Sequence, residues 1–250
     1  MGPLKAPLAA AFLRLFTVQG SWNYERMLGV GMGVAEEPLL RELRRGPDNG
    51  AAYRAAVVRG AQFFNAHPYL CGLAVGATAR AEREGAPPEQ IERLRSTLIG
   101  PLGSLGDRLV WAGWLPLLSA AAIATIALGA GWRAIVGFLL IYNLGHVALR
   151  WWALRAGWSA GTGVAVALRH PVLQRSLALV LPAMAFTSGF CLPLAASWLA
   201  RPFPRGPALA FLALAAVGVV LLRWRPGVVT GMRLGLTAVG AALVAGWVWR

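Results

Sequence analysis

Apolar residues run almost unbroken through the second half of the chain and only in short bursts through the first. Five apolar blocks stand out. Leu109–Leu128 has twenty residues without a charge, Ala134–Leu149 has sixteen, Leu177–Leu199 has twenty-three and Ala208–Leu222 has fifteen; Val228–Trp249 is long but interrupted by Arg233. A helix rises about 1.5 Å per residue, so a hydrocarbon core of roughly 30 Å takes about twenty residues, with about 17 as the usual minimum. The two short blocks therefore require a thinned bilayer, help from their flanks, or burial in protein as broken elements. The pattern predicts about five hydrophobic membrane segments in residues 108–250.

The first 107 residues follow a different pattern, with recurring charges and apolar positions at helical spacing. Tyr53, Val57, Ala61 and Phe64 share one face, opposite Arg54, Arg59 and Gln62. Pro68 disfavours a helical conformation at His67, so that helix is predicted to end there. Pro87, Pro88 and Glu89 lead into another helix whose buried stripe is Ile91, Leu94 and Leu98. Helices apolar on one side only lie on a membrane, form hairpins partly inside it, or dock on a partner. There is no β-type alternation of useful length and no demonstrable internal repeat. The expected fold class is all-α: a polytopic membrane protein with amphipathic or re-entrant helices in a motif-bearing part, 1–107, and a transmembrane scaffold, 108–250.

Composition sharpens this division. The chain is 57% hydrophobic and only 14% charged, with net charge +14, whereas an average globular chain is about one quarter charged. All ten acidic residues lie at or before Asp107, where Lys5 and eleven Arg oppose them for a balance of +2. From Arg108 to Arg250 there are twelve Arg and no Asp, Glu or Lys. This excludes collagen-like, disulfide-stapled and disordered classes. The Arg stand singly or in twos between apolar blocks, so they build no continuous phosphate-binding face. Their spacing suits snorkelling at a bilayer surface, with membrane lipid and not nucleic acid as the neighbour. If all five blocks cross, Arg108, Arg150, Arg155, Arg169, Arg175, Arg223 and Arg225 face one side. Arg133, Arg201, Arg205 and Arg250 face the other, and the bias makes the first side cytoplasmic. Cys71 and Cys191 have no metal-type spacing and read as buried free thiols. Arg14 interrupts the apolar stretch from Ala9 to Phe16, so no signal peptide is evident.

Three polar clusters carry candidate chemistry. Ser21–Trp22–Asn23–Tyr24–Glu25–Arg26–Met27 combines an amide, a carboxylate and a guanidinium with aromatic rings. Those groups bind sugar hydroxyls and cover a sugar's C–H face; they equally describe a helix start capped by Ser21. Phe63–Phe64–Asn65–Ala66–His67–Pro68–Tyr69 sets Asn65 and His67 at an expected helix end, where backbone groups are unsatisfied. A lone His is also a common structural residue. Gly100–Pro101–Leu102–Gly103–Ser104–Leu105–Gly106–Asp107 lacks the Gly-Lys-Ser/Thr ending of a P-loop, and reads as a break between membrane elements. Asp107 directly before an apolar run needs a partner or a function. Asn143 and His146 share a face of an apolar block and read as interhelical hydrogen-bonding groups. No metal-type His pair, nucleophile elbow or Ser/His/Asp arrangement occurs, and no catalytic residue, metal or cofactor is expected.

Together these motifs resemble the IID membrane component of the mannose/fructose/sorbose family of the bacterial phosphoenolpyruvate-dependent sugar phosphotransferase system. The resemblance rests on Gln19 to Met27, on Glu36–Glu37–Pro38, on Phe63 to Tyr69, and on Gly100 to Asp107 with Trp111. Tyr142–Asn143 and Arg150–Trp151 extend it, and the order of motifs agrees from about Phe12 to Gly161. It implies a multi-pass subunit of the bacterial plasma membrane that joins a IIC membrane protein in a hetero-oligomer to form a pathway for a hexose-class sugar. Cytoplasmic IIA and IIB phosphocarriers would supply the phosphoryl chemistry, so the chain itself would not be an enzyme. The resemblance makes Asn23, Glu25, Asn65 and His67 candidates for sugar contact or its immediate support. Trp22, Arg26, Pro68, Gly100, Gly103, Gly106 and Asp107 would be motif residues, with Asp107 organising the glycine-rich break. The chain departs from the family at Trp114–Leu115–Pro116, where an Arg-Pro usually follows the Gly-Asp pair. Arg201 to Pro207 is a bare connector where many members hold an insertion, so the chain reads as a shortened version. A regulatory or sensory subunit that no longer moves sugar is the alternative.

Overall fold

Eight α-helices form among the residues described by the computed structural model, which are 7–200 together with 216, 217 and 220. They are α1 (Leu8–Leu15), α2 (Gly29–Leu40), α3 (Ala51–Gly60), α4 (Cys71–Arg83), α5 (Pro88–Gly106), α6 (Leu115–Ala127), α7 (Trp132–Ala160) and α8 (Pro171–Ala200). A π-helical stretch, Asp107–Trp114, joins α5 to α6. The chain divides into two compact units, Met1–Leu192 and Pro193–Arg250, and the account below concerns the first. No strand forms among the described residues; the only extended pairings are single bridges from Met27 to Asn23 and to Phe64. The all-α expectation is met there.

Two helical stretches, Pro88–Ala127 and Trp132–Trp198, are long and apolar enough to cross a membrane. The predicted segments Leu109–Leu128, Ala134–Leu149 and Leu177–Leu199 fall on them. Ala208–Leu222 and Val228–Trp249 lie outside the continuously described residues. Three local expectations are corrected. The helix bearing Tyr53 and Val57 ends at Gly60, not His67, and an irregular loop with one bridge at Phe64 leads on to Pro68. The glycine-rich run Gly100–Gly106 is no break but the last turns of α5. Arg150, expected in a connecting loop, is buried within α7, which continues to Ala160.

Helix α4 is the centre of the core, and nearly every residue from Cys71 to Ala81 is buried. Close backbone approach and tight packing hold it against α7. Gly72 and Gly76, four apart, let α4 meet α7 at this distance. A Cβ on Gly76 would fall on the backbone of Leu154 and Trp158, and one on Gly157 would fall on that of Leu73. Around this crossing pack Leu15 and Val18, Met32, Ala35 and Leu39 of α2, and Leu98 and Leu102 of α5. Both cysteines are free and buried.

Adjacent acids of α2 have opposite surroundings, because successive helical residues point about 100° apart. Glu37 accepts from Arg14 (2.8 Å), Arg41 (2.9 Å), Arg44 (3.2 Å) and Tyr53 (3.1 Å), tying α1, α2 and α3 together. Its hydrogen bonds, that from Arg41 foremost, push its carboxyl down to about 2. Glu36 is fully enclosed, and burial pushes it up to about 7 against the lowering influence of Arg95 and of the Thr78 hydroxyl, 2.6 Å away. The Arg95 guanidinium stands 3.9 Å from Glu36 Oε2 while donating to the Gly60 and Gln62 carbonyls at 3.1 and 3.3 Å. Glu82 and Arg59, paired at 2.7 Å, complete the buried group.

Three outcomes are expected from these contacts. Gly76→Ala forces the α4–α7 crossing apart and should cost about 1–3 kcal/mol, read as a lower melting temperature of the detergent-solubilised chain. Gly137→Ala, where a Cβ meets nothing within 4 Å, should be neutral or mildly stabilising. Because the folded pKa of Glu36 lies above its unfolded value, its contribution is complete below the unfolded pKa and is lost as pH rises through about 7. The fall in melting temperature from about pH 5.5 to about pH 8.5 should therefore be smaller in Glu36→Gln than in the parent chain.

Candidate functional site

The three polar clusters, far apart in sequence, meet around one cleft of about 530 Å³. That volume lies within the range of small-molecule sites, about 300–1,000 Å³. Gln19, Trp22 and Leu28 come from the loop between α1 and α2, and Asn65 to Pro68 from the loop before α4. Ile99, Gly100, Gly103 and Ser104 line it from α5, and Asp107 and Trp111 from the π-helical stretch. The wall thus offers an amide at Asn65, an amide at Gln19, a carboxylate at Asp107 and half-exposed indole faces at Trp22 and Trp111.

The first loop is shaped by Asn23. Its side-chain oxygen accepts from the backbone N–H of Glu25 (3.1 Å) and Arg26 (2.9 Å), and its amide donates to the Ser21 carbonyl (3.1 Å). This turn needs Met27 at φ +52°, a left-handed value uncommon for a residue with a side chain. The two loops are then stitched together: Leu28 N–H donates to Phe64 O (3.0 Å), Phe64 N–H to Arg26 O (3.2 Å), and the Arg26 guanidinium to Ala61 O (3.2 Å). Asn23 is therefore committed to the turn, and Ser21 caps no helix. Neither Asn23 nor Glu25 lines the cleft; Glu25 is exposed on the same turn.

His67 is held from several sides. Its carbonyl receives the first N–H groups of α4, from Leu70 (3.0 Å) and Cys71 (3.1 Å). Its Nδ1 accepts from the Tyr69 N–H at 3.2 Å, so in the neutral ring the proton sits on Nε2. Nε2 is buried without a hydrogen-bond partner among the described residues. Burial, and then the nearby Arg150 charge, push the imidazole down to about 4, so it is neutral at physiological pH. The ring packs between Tyr69 and Trp111, with centroids 4.9 and 5.0 Å away, and directly on Gly106, where any Cβ would strike it. The glycine of the third cluster thus makes room for the histidine of the second. Asp107 is exposed toward the cleft and makes no ion pair or hydrogen bond among the described residues, unlike the interfacial pairing that its neighbour Arg108 suggests.

Behind the cleft, Arg150 supports the second loop. It donates to Leu15 O (2.5 Å) and Pro68 O (3.1 Å) and lies over the rings of Tyr69 (4.5 Å) and Phe16 (5.3 Å). Its position after an apolar block suggests a loop anchor by hydropathy, whereas the Arg150–Trp151 pair is already among the residues that carry the family resemblance. Tyr69 also shares a hydrogen bond with Tyr142 (2.7 Å) and stacks on His146 at 5.1 Å. Asn143 donates to Leu139 O (2.6 Å) and bonds His146 at 3.1 Å. This polar face of α7 braces the site through Tyr69. Gln19 and Trp111 line the cleft although the residue chemistry alone singled out neither.

A family model described as "PTS system mannose/fructose/sorbose family IID component" matches residues 5–186. The mannose-specific EIID component of Escherichia coli is 29% identical over 176 residues, covering 68% of this chain and 61% of that protein. The sorbose-specific EIID component of Klebsiella pneumoniae is 31% identical over 173 residues, covering 67% and 62%. The chain thus spans about three fifths of the length of the curated relatives it matches. Among solved structures, one described as a membrane protein aligns with TM-score 0.65 and 26% identity over 76% of this chain and 70% of that one. The mannose transporter ManYZ, solved in complex with a microcin, shares the fold with TM-score 0.58 and 24% identity over 97% of each chain. The match covers every motif that meets at the cleft, and the chain belongs to the IID component family of the mannose/fructose/sorbose phosphotransferase systems.

Proposed function

We propose that this membrane protein is the IID subunit of a mannose-family permease. With a IIC subunit it forms the pathway by which a hexose-class sugar enters, coupled to phosphorylation by IIB and IIA at the inner face of the bacterial plasma membrane. The observation that carries this reading is the convergence of Asn65, His67 and Asp107 on one cleft walled by Trp22 and Trp111. A sugar presents hydroxyls that both donate and accept, and an apolar C–H face. Asn65 and Gln19 can do both, Asp107 accepts, and the Nε2–H of neutral His67 donates. The indoles suit the C–H face. Asn23 supports the contact residues by fixing the turn that carries Trp22, and Arg26 by tying that turn to the second loop. Residues 1–107 form the site-bearing part, completed by Trp111, and 108–250 the scaffold. Phosphoryl transfer belongs to the partner proteins, and no residue of this cleft is assigned to bond-making.

The test is reconstitution of the full chain with a IIC protein encoded beside it and measurement of phosphoenolpyruvate-dependent sugar uptake. Uptake supports the proposal; a complex that forms and moves no sugar overturns it in favour of a regulatory subunit. Within an active complex, Asn65→Ala and His67→Ala should each lower uptake about tenfold, as expected for a lost hydrogen bond worth about 1.4 kcal/mol. Glu25→Gln, outside the cleft wall, should stay near the parent rate. Gly106→Ala pushes on the His67 ring and should reproduce the His67→Ala defect while the chain still assembles with IIC.

A further inference from the structure

The hairpin of α6 and α7 carries an open groove of about 330 Å³ that the sugar cleft does not use. Leu118, Ala122 and Thr125 line it from α6, and Arg133, Gly137 and Ile141 from α7. These spacings keep each set on one helical face. From Arg133 to Ile141 the groove runs about 12 Å along α7, close to the depth of one hydrocarbon leaflet. Thr125 turns its hydroxyl back to its own helix, at 2.9 and 3.0 Å from the Ala121 and Ala122 carbonyls. That leaves Arg133 as the one charged group on the lining. A Cβ on Gly137 would meet nothing within 4 Å, so the groove floor is open.

The mouth of the groove is built like a membrane interface. Leu128 and Trp132 beside it are 67% and 69% exposed, and the Arg133 guanidinium lies 5.8 Å from the Trp132 ring. Trp and Arg at a helix end mark the headgroup level. The flanking face of α7, with Ile135, Leu139 and Leu140, is apolar and about half exposed, as for a surface facing lipid tails. What the hairpin lacks is an anion. No acidic residue follows Asp107 in the whole chain, and Asp107 is about 27 Å of helix away from Thr125. An apolar slot one leaflet deep, ending in a cation with no acid to meet it, complements a lipid that carries a tail and a net negative headgroup.

We infer that the α6–α7 hairpin binds one anionic phospholipid, an acyl chain lying in the groove and the headgroup phosphate meeting Arg133. This inference rests on the membrane location alone and stands apart from the sugar reading. The test is native mass spectrometry of the full-length protein released from vesicles containing equal phosphatidylglycerol and phosphatidylcholine. The parent chain should retain phosphatidylglycerol about fivefold over phosphatidylcholine, the preference one Arg confers at an anionic surface. Arg133→Gln should abolish that preference. Gly137→Leu, which fills an open space, should reduce retention of both lipids while leaving the melting temperature near that of the parent. Arg155→Gln is the control, since Arg155 also lies 5.8 Å from a Trp ring, that of Trp151, but borders no part of the groove. Equal losses in Arg133→Gln and Arg155→Gln would mean diffuse basic charge and overturn the inference. So would cross-linking of Gly137→Cys to a IIC protein in the intact complex with exclusion of phosphatidylglycerol there, which would make the groove a protein interface.

Discussion

The crossing of α4 and α7 is the constraint on which the rest of the structure depends. Gly72, Gly76 and Gly157 bring the two backbones into direct contact, at a distance no side chain would allow. Such proximity supplies the dispersion contacts that hold the two helices together. It also sets Arg150 behind the loop that begins α4. A buried guanidinium in an apolar helix needs acceptors for its donors and groups that spread its charge. Here the Leu15 and Pro68 carbonyls both accept from one terminal nitrogen and the rings of Tyr69 and Phe16 spread the charge, while Nε has no hydrogen-bond partner among the described residues. The same contacts fix Pro68, and with it His67. The site inherits its geometry from a packing solution several residues away.

Electrostatics then divides the labour. Burial, and then the nearby Arg150 charge, keeps the His67 imidazole neutral with one defined donor. Asp107 is an exposed side chain on the lining of the same cleft. On α2, one acid is held ionised by a cage of three Arg and a Tyr, while its neighbour is enclosed away from water with the Thr78 hydroxyl and the Arg95 guanidinium against it. Glu36, Glu37 and Glu82 are thus placed where they join elements, and Arg150 of the apolar half meets carbonyls and rings instead of an acid.

Much of the site was legible in the residues themselves. Asn65, His67 and Asp107 stand in polar clusters within an otherwise apolar chain, and polar groups are kept in such a setting when something binds them. Asn23 looks the same by composition yet serves its own turn, because an Asx side chain reaches backbone N–H groups two and three residues on as readily as it reaches a ligand. The glycine-rich run misled for a related reason. Glycine permits a break, but it also permits a helix to touch another group closely, and at Gly106 that group is His67. Arg150 was read by hydropathy as a loop residue because a charge ends an apolar window; only the carbonyls of two other segments let it stay inside α7.

Hydropathy, charge asymmetry and motif order alone determined that this is a helical membrane protein of the IID family with a polar, motif-bearing N-terminal part. Those properties follow from the transfer energetics of each segment and from residue identity, both of which are local. Tertiary structure alone decided that three clusters share one cleft, that Glu36 and Glu37 have opposite protonation preferences, and that Arg150 supports His67. Each of these depends on distances between segments tens of residues apart, and a one-dimensional pattern carries no such distances.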